Sequence, residues 1–222
     1  MEERYYSELL FAAVRGYAER IGKGICELSS EDEEEIVHFA RENEFKTYHF
    51  KKKDILPRVH KVIGFLRSIY FENLLDVGSG RGVFLFPFLE SFPYVDVMSV
   101  DILDKRVEML TDIKNGGIER LNAIKADICT QPFADKSFDV ITLLEVLEHI
   151  PDVKKAIASA VKMARKYIVV SVPSKEDNNP EHIHLLTKNL LTEYFNECGV
   201  TKLHFDGVNG HLLMIATING GE

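Results

Sequence analysis

Apolar positions recur in two different rhythms along this chain. Up to about residue 70 they return every three or four residues. Leu10, Ala13, Val14, Tyr17 and Ile21 make one stripe, and Ile36, Val37, Phe39 and Ala40 belong to a second, which is the spacing of amphipathic helices. The acidic run Glu31-Asp32-Glu33-Glu34-Glu35 sits where carboxylates favour the positive end of that second helix, and Ser30 with Glu33 has capping-box spacing. A third helix is expected from Ile55 or Pro57 to Tyr70, with Val59, Val62, Ile63, Leu66 and Ile69 inward and Pro57 in its first turn.

Beyond Tyr70 short apolar runs alternate with helical patterns. Asn73 to Val77, Val95 to Asp101, Arg120 to Ala126, Phe138 to Leu144 and Tyr167 to Val172 read as strands. Such alternation implies an α/β domain with a mostly parallel sheet covered by helices on both faces. A helix near Thr187 to Cys198 then leads to a strand over Val200–Phe205. Gly207 and Gly210 mark a turn, and Leu212–Ile218 is the last strand, an antiparallel hairpin at one edge. The division expected is an N-terminal helical segment, 1–70, and an α/β domain, 71–222.

Composition narrows the class. The 222 residues carry 27 Lys and Arg against 35 Asp and Glu, a net charge of −8, which disfavours gripping a nucleic-acid backbone as the main task. Cys26, Cys129 and Cys198 are far apart with no CxxC pair, so neither a disulfide framework nor a cysteine metal site is supported. No uninterrupted apolar run of membrane-spanning length occurs and MEERYYSELL is acidic where a secretory signal would be basic. A cytoplasmic protein is expected.

The strongest motif is Leu74-Leu75-Asp76-Val77-Gly78-Ser79-Gly80-Arg81-Gly82, a strand running into a glycine turn with a helix expected from Val83. Glycines there let the backbone turn tightly and approach a ligand. The spacing is GxGxG rather than the GxGxxG of dinucleotide sites, which weighs against a nicotinamide-dependent reductase. Asp76 before the loop would repel a phosphate but suits a cationic ligand. Asp101 closes the second strand, where a carboxylate accepts both hydroxyls of a ribose, and Asp127 closes the third, where an adenine amino group could be read. The ligand implied is an adenosine with a positively charged tail. The structural alternatives are a bare tight turn and an Asp101 that caps the next helix.

LLDVGSGRG, VDILDKRV, KADICTQPFADKSFDVITLLEVLEH and IVVSVPS, in this order, resemble the class I S-adenosylmethionine-dependent methyltransferases over roughly residues 72 to 218. The resemblance implies a seven-stranded, doubly wound sheet of order 3-2-1-4-5-7-6 with strand 7 antiparallel, matching the expected hairpin, and makes residues 1–70 a cap or lid over the acceptor. It implies that Asp76 orients the methionyl ammonium through the loop, that Gly78, Gly80 and Gly82 contact the cofactor by backbone, that Asp101 holds the ribose and Ile102 packs on the adenine, and that Asp127 and the Ile128 amide read the adenine edge.

A second polar cluster follows strand 4. If Glu145 opens a helical turn, Glu148 and His149 share its face, and Glu181-His182-Ile183-His184 follows strand 5. In one reading Glu145, His149 and His182 serve the acceptor, a His acting as base for an O- or N-nucleophile of a small molecule. The ubiquinone-pathway O-methyltransferases carry a similar Glu-His. In another, Glu145, Glu148, His149 and His182 resemble the metal ligands of small-RNA 3′-end 2′-O-methyltransferases, although Glu-His-x-His stands where that family has Arg-His-x-Asp-His. Two further alternatives are mere bracing of the helix after strand 4 and a non-catalytic cofactor-binding partner subunit. His38, His49, His60, His204 and His211 are isolated in sequence. Lys51 to Lys53 read as a solvated run or, alternatively, an anionic-substrate or nucleic-acid contact, and Tyr48, Phe50, Phe84 and Phe86 as core rather than pocket lining.

Overall fold

The computed structural model describes residues 5–23, 32–176 and 178–218; Cys26 and Ser30, with its expected capping box, lie outside them. Seven helices are described: α1 Ser7–Arg20, α2 Glu33–Glu42, α3 Pro57–Leu66, α4 Leu85–Ser91, α5 Asp104–Asn115, α6 Val153–Met163 and α7 Lys188–Glu197. The strands are β1 Asn73–Val77, β2 Asp96–Asp101, β3 Leu121–Lys125, β4 Phe138–Leu144, β5 Ala164–Pro173, β6 Lys202–Val208 and β7 His211–Thr217. They form one seven-stranded sheet in the order β3-β2-β1-β4-β5-β7-β6. β2 with β3, β1 with β4 and β4 with β5 are parallel, whereas β7 is antiparallel to both β5 and β6. No described helix is long and apolar enough to cross a membrane.

The chain divides into two compact units, 1–55 with 79–125 and 56–78 with 126–222. In the first, α1 and α5 approach at two glycines. A Cβ on Gly16 would stand 2.0 Å from the Asp112 carbonyl oxygen, and one on Gly116 would stand 1.8 Å from that of Ala12. Arg20 closes the same seam, donating from Nε and Nη2 to the buried Asp112 carboxylate at 2.9 and 2.8 Å, a bidentate geometry that offsets burial of the acid. Rings run from α1 to α4: Tyr17 to Phe45 at 5.1 Å, Phe45 to Phe50 at 6.0 Å and Phe50 to Phe86 at 5.1 Å. Phe50, Phe84 and Phe86 are buried, as expected of core residues, while Tyr48 is exposed.

In the second unit the apolar residues of β1, β4 and β5 form the core. Leu74, Leu75, Val140, Ile141, Leu143, Ile168, Val169 and Val170 are fully shielded, as expected of parallel strands covered on both faces. Ala156, Ile157, Ala160 and Met163 of α6 and Leu191 and Phe195 of α7 are fully shielded too. α3 belongs to this unit, with Phe65 edge-on to Tyr167 at 5.3 Å.

Several boundaries differ from the sequence expectation: β5 begins at Ala164 rather than Tyr167, and β6 runs Lys202–Val208 rather than Val200–Phe205. α3 stops at Leu66 rather than Tyr70, where the Ser68 hydroxyl donates to the Phe65 carbonyl at 2.6 Å and draws the backbone out of the helix. The helix after the glycine loop starts at Leu85 rather than Val83, because Gly82 has φ +78° and the Phe86 ring fills the space beside its Cα. The hairpin turns at Asn209-Gly210, with φ of 42° and 86°, and Gly207 lies inside β6. Consecutive positive φ values give the mirror-image turn whose twist matches antiparallel strands.

The glycine seam makes a paired prediction. Gly16→Ala should cost about 1–3 kcal/mol because neither backbone can yield, lowering the melting midpoint by several degrees. Gly64→Ala in α3 has nothing within 4 Å of its new methyl and should stabilise by about 0.5–1 kcal/mol. Thermal denaturation followed by circular dichroism reads both, and a Gly16→Ala protein that melts with the wild type would refute the close approach.

Candidate cofactor loop and polar cluster

The division between the units passes through the glycine loop. In the second unit Asp76 is almost fully buried on β1 and its Oδ1 accepts from the Thr142 hydroxyl at 2.7 Å. The chain then turns at Gly78, φ +65°, where a Cβ would lie 2.8 Å from the Val146 side chain. Asp127 is exposed and caps the 3-10 turn over Ile128–Thr130, accepting from the Cys129 amide at 2.8 Å; Ile128 is buried beneath it.

In the first unit Gly80 and Gly82 have φ of 55° and 78°. The Ser79 and Ser99 hydroxyls are 2.7 Å apart and tie the loop to β2. Asp101 ends that strand at 8% exposure, with Oδ1 accepting from the Leu103 amide at 2.9 Å. Ile102 beside it is 65% exposed. Asp101 and Asp127 thus perform the modest backbone-capping role that structure alone would give them. A shielded carboxylate beside an apolar side chain left in the open also matches a ribose diol beside an adenine face. Three left-handed glycines in five residues form a loop that β-carbons would fill or strain. The groups of the first unit therefore fit an adenosine, and the Asp76 carboxylate of the second suits a cationic group.

The second cluster divides in two. Glu145 does not open a helical turn: it has φ +58°, left-handed backbone rare outside glycine, and the 3-10 turn begins only at Leu147. Its Oε1 accepts from the Ser171 hydroxyl at 2.7 Å, with Arg58 Nε at 3.8 Å, and its Oε2 lies 2.9 Å from His211 Nδ1. Glu148, His149 and His182 form a different group, with one potential ligand atom from each within 4.8 Å of the others. Glu148 is fully buried, and the two imidazoles meet edge to face at 4.8 Å. His149 Nδ1 is 2.9 Å from the Glu181 carbonyl oxygen, a contact in which the ring nitrogen must donate. Neutral His149 therefore keeps its lone pair on Nε2.

Residues 75–167 match the family described as "Methyltransferase domain". The ubiquinone biosynthesis O-methyltransferase of Pseudomonas entomophila is 28% identical over 146 residues, 62% of this chain and 61% of that one. An O-methyltransferase family protein from Burkholderia thailandensis aligns with a TM-score of 0.60 at 13% identity, over 74% of this chain and 57% of that one. Magnesium protoporphyrin IX methyltransferase from Synechocystis, solved with bound SAH, gives 0.56 at 14% identity, over 72% and 81%. The sheet order and these neighbours give the chain the class I methyltransferase fold, and residues 75–167 are similar to a methyltransferase domain. The chain spans about three fifths of the length of the curated relatives it matches.

Within residues 75–167 lie the glycine loop, the three aspartates, Glu145, Glu148 and His149; His182 and His211 fall beyond them. His211, Arg58 and Ser171 are the partners that sequence reasoning missed. Antiparallel pairing sets His211 opposite Pro173 at the start of β7, a register that no local spacing announces. Cys129 supplies a pH-dependent test of the Asp127 turn. Burial, and then the Asp127 carboxylate, push its thiol up to about 11. Less thiolate is present at any given pH, so alkylation at pH 8 should run about a hundredfold slower than at an ordinary thiol. Asp127→Asn should speed it; an unchanged rate would remove the carboxylate from the turn.

Proposed function

We propose that the chain transfers a methyl group from S-adenosylmethionine to an oxygen or nitrogen atom of a small-molecule acceptor. The observation that carries this reading is the loop leaving β1, left-handed at Gly78, Gly80 and Gly82, together with Asp101 shielded beside exposed Ile102. The names of relatives and the SAH-bound neighbour agree with it. When bound, the cofactor supplies an electrophilic methyl on a sulfonium centre.

The residues do the rest by holding and orienting. Asp101 accepts both ribose hydroxyls, Ile102 covers an adenine face, and Asp127 with the Ile128 amide reads the adenine edge. The backbone at Gly78, Gly80 and Gly82 follows the amino-acid tail, positioned by Asp76. His149 Nε2, with Nδ1 held at the Glu181 carbonyl, suits the role of base toward an acceptor hydroxyl, with His182 beside it. Glu145 orients the acceptor from a backbone conformation that costs on the order of 1–3 kcal/mol, strain of the kind that clusters at functional sites. Residues 1–70 cover the acceptor in the same reading.

A metal-assisted reading is favoured by one observation, the convergence of Glu148, His149 and His182. A carboxylate and two imidazoles suit a divalent transition metal, which would acidify an acceptor hydroxyl. Glu145, committed to Ser171 and His211, is not part of that group, so the four-ligand set of the RNA-directed enzymes is reduced to three.

Calorimetry and turnover distinguish these readings. Asp101→Ala should weaken S-adenosylmethionine binding at least about tenfold, the worth of a charge-assisted hydrogen bond. His149→Ala should keep cofactor affinity and lose about 10²–10⁴ in turnover across a panel of hydroxyl and amine acceptors. Cofactor affinity untouched by Asp101→Ala would end the ribose assignment. Tight binding without turnover on any acceptor would favour the partner-subunit alternative. A divalent metal that raises the melting temperature of wild type but not of His182→Ala would select the metal-assisted form.

A further inference from the structure

The first unit contains a cavity of about 800 Å³ whose chemistry none of the residues discussed so far explains. Arg81, set between the second and third glycines of the loop, lines it together with Lys46, His49 and Arg106. Leu103, whose amide binds Asp101, lies on the same wall, so the cavity adjoins the first unit's share of the cofactor elements.

Charges of both signs line it. Four acids face the space: Glu44, Asp104, Glu108 and Asp112. Asp112 is engaged by Arg20 through two hydrogen bonds, and Glu108 also lies in the field of Arg20. Asp104 is paired with Lys125 at 2.7 Å. The same lining holds Lys46, Arg81, Lys105 and Arg106, none of which has an ion-pair partner among the described residues. Three of them lie near enough to act on one imidazole. Burial and then the charges of Arg106, Arg81 and Lys46 hold the pKa of His49 below its usual value. Cations clustered in a concave site are stabilised by an anion that accepts from several of them at once.

Phe45, Tyr48, Leu103 and Met109 supply the apolar part of the lining. Tyr48 is 51% exposed and its ring lies 4.0 Å from that of His49. The row of rings from Tyr17 through Phe45 and Phe50 to Phe86 fixes the segment that presents Lys46 and His49. Lys46 and His49 are therefore mounted on packed core. A pocket of this size with an apolar wall, in a chain of net charge −8, suits a small molecule better than a nucleic-acid strand.

We propose that this cavity binds the anionic group of the methyl acceptor, a phosphate or carboxylate carried on an apolar body, through Lys46, His49, Arg81 and Arg106. The proposal deepens the transfer reading and rests on it. His49, which sequence alone leaves isolated, becomes an anion-contact residue.

The test saturates the chain with S-adenosylhomocysteine and titrates inorganic phosphate and, separately, benzoate, following the His49 imidazole signals by NMR with His49→Gln for assignment. Anion binding should raise the His49 titration midpoint. Lys46→Gln and Arg106→Gln should each weaken it by about tenfold or more while leaving the circular dichroism spectrum and S-adenosylhomocysteine affinity unchanged. A His49 midpoint blind to both anions overturns the proposal. So does anion binding that S-adenosylhomocysteine abolishes, because the cations would then serve the cofactor's own carboxylate. Preferential binding of a short single-stranded RNA, lost in the same variants, would replace the small molecule with a nucleic acid. Failure of S-adenosylhomocysteine to bind the unmodified chain is a separate result, which removes the transfer reading and the acceptor assignment together.

Discussion

L-residues resist left-handed backbone because the Cβ meets the following carbonyl, and the loop after β1 is built on that restriction. Gly78, Gly80 and Gly82 all adopt positive φ within five residues. Packing also requires two of them to lack a side chain, since Val146 stands against Gly78 and Phe86 against Gly82. The loop is consequently held to one path by its surroundings. β1 ends in a loop instead of continuing directly into a helix, and α4 starts late at Leu85. A backbone that approaches a ligand closely and does not need to reorganise is what an adenosyl site requires.

Acids in this chain follow two rules according to place. Asp112, facing α1, is neutralised by a bidentate arginine, and Asp139, at the start of β4, by Arg165 at 2.8 Å and Lys166 at 3.2 Å. The acids proposed for the cofactor accept from neutral donors, a threonine hydroxyl at Asp76 and backbone amides at Asp101 and Asp127. Neutral donors orient a carboxylate without cancelling its charge, which leaves it able to attract a cationic or hydroxyl-rich ligand. The cavity beside Arg81 has a complementary set, with Lys46, Arg81 and Arg106 acting on one imidazole. A donor with a positive tail and an acceptor with a negative group would thus meet opposite fields.

The polar residues after β4 show how few residues separate two roles. Glu145, at φ +58°, faces Ser171, Arg58 and His211, while three residues later buried Glu148 meets exposed His149 and half-buried His182. The left-handed step reverses the chain between them, so residues that a helix would align on one face serve two networks. One suits orientation of an acceptor, and the other suits proton transfer or metal binding.

The sequence by itself determined the strands, the glycine loop and the acids at strand ends, because each is a local matter: a buried run, a φ restriction, a residue placed where a strand stops. β1 and β4 begin and end where the apolar runs do, and the hairpin followed from a turn between two strands, though its turn lay at Asn209-Gly210. Only the tertiary structure decided which side chains meet. It brought His211 to Glu145 through antiparallel register, joined His182 to Glu148 and His149 across more than thirty residues, and gathered Lys46, Arg81 and Arg106 around His49. Those encounters depend on packing of distant segments such as the Gly16 and Gly116 seam, and no periodicity along one strand or helix encodes them.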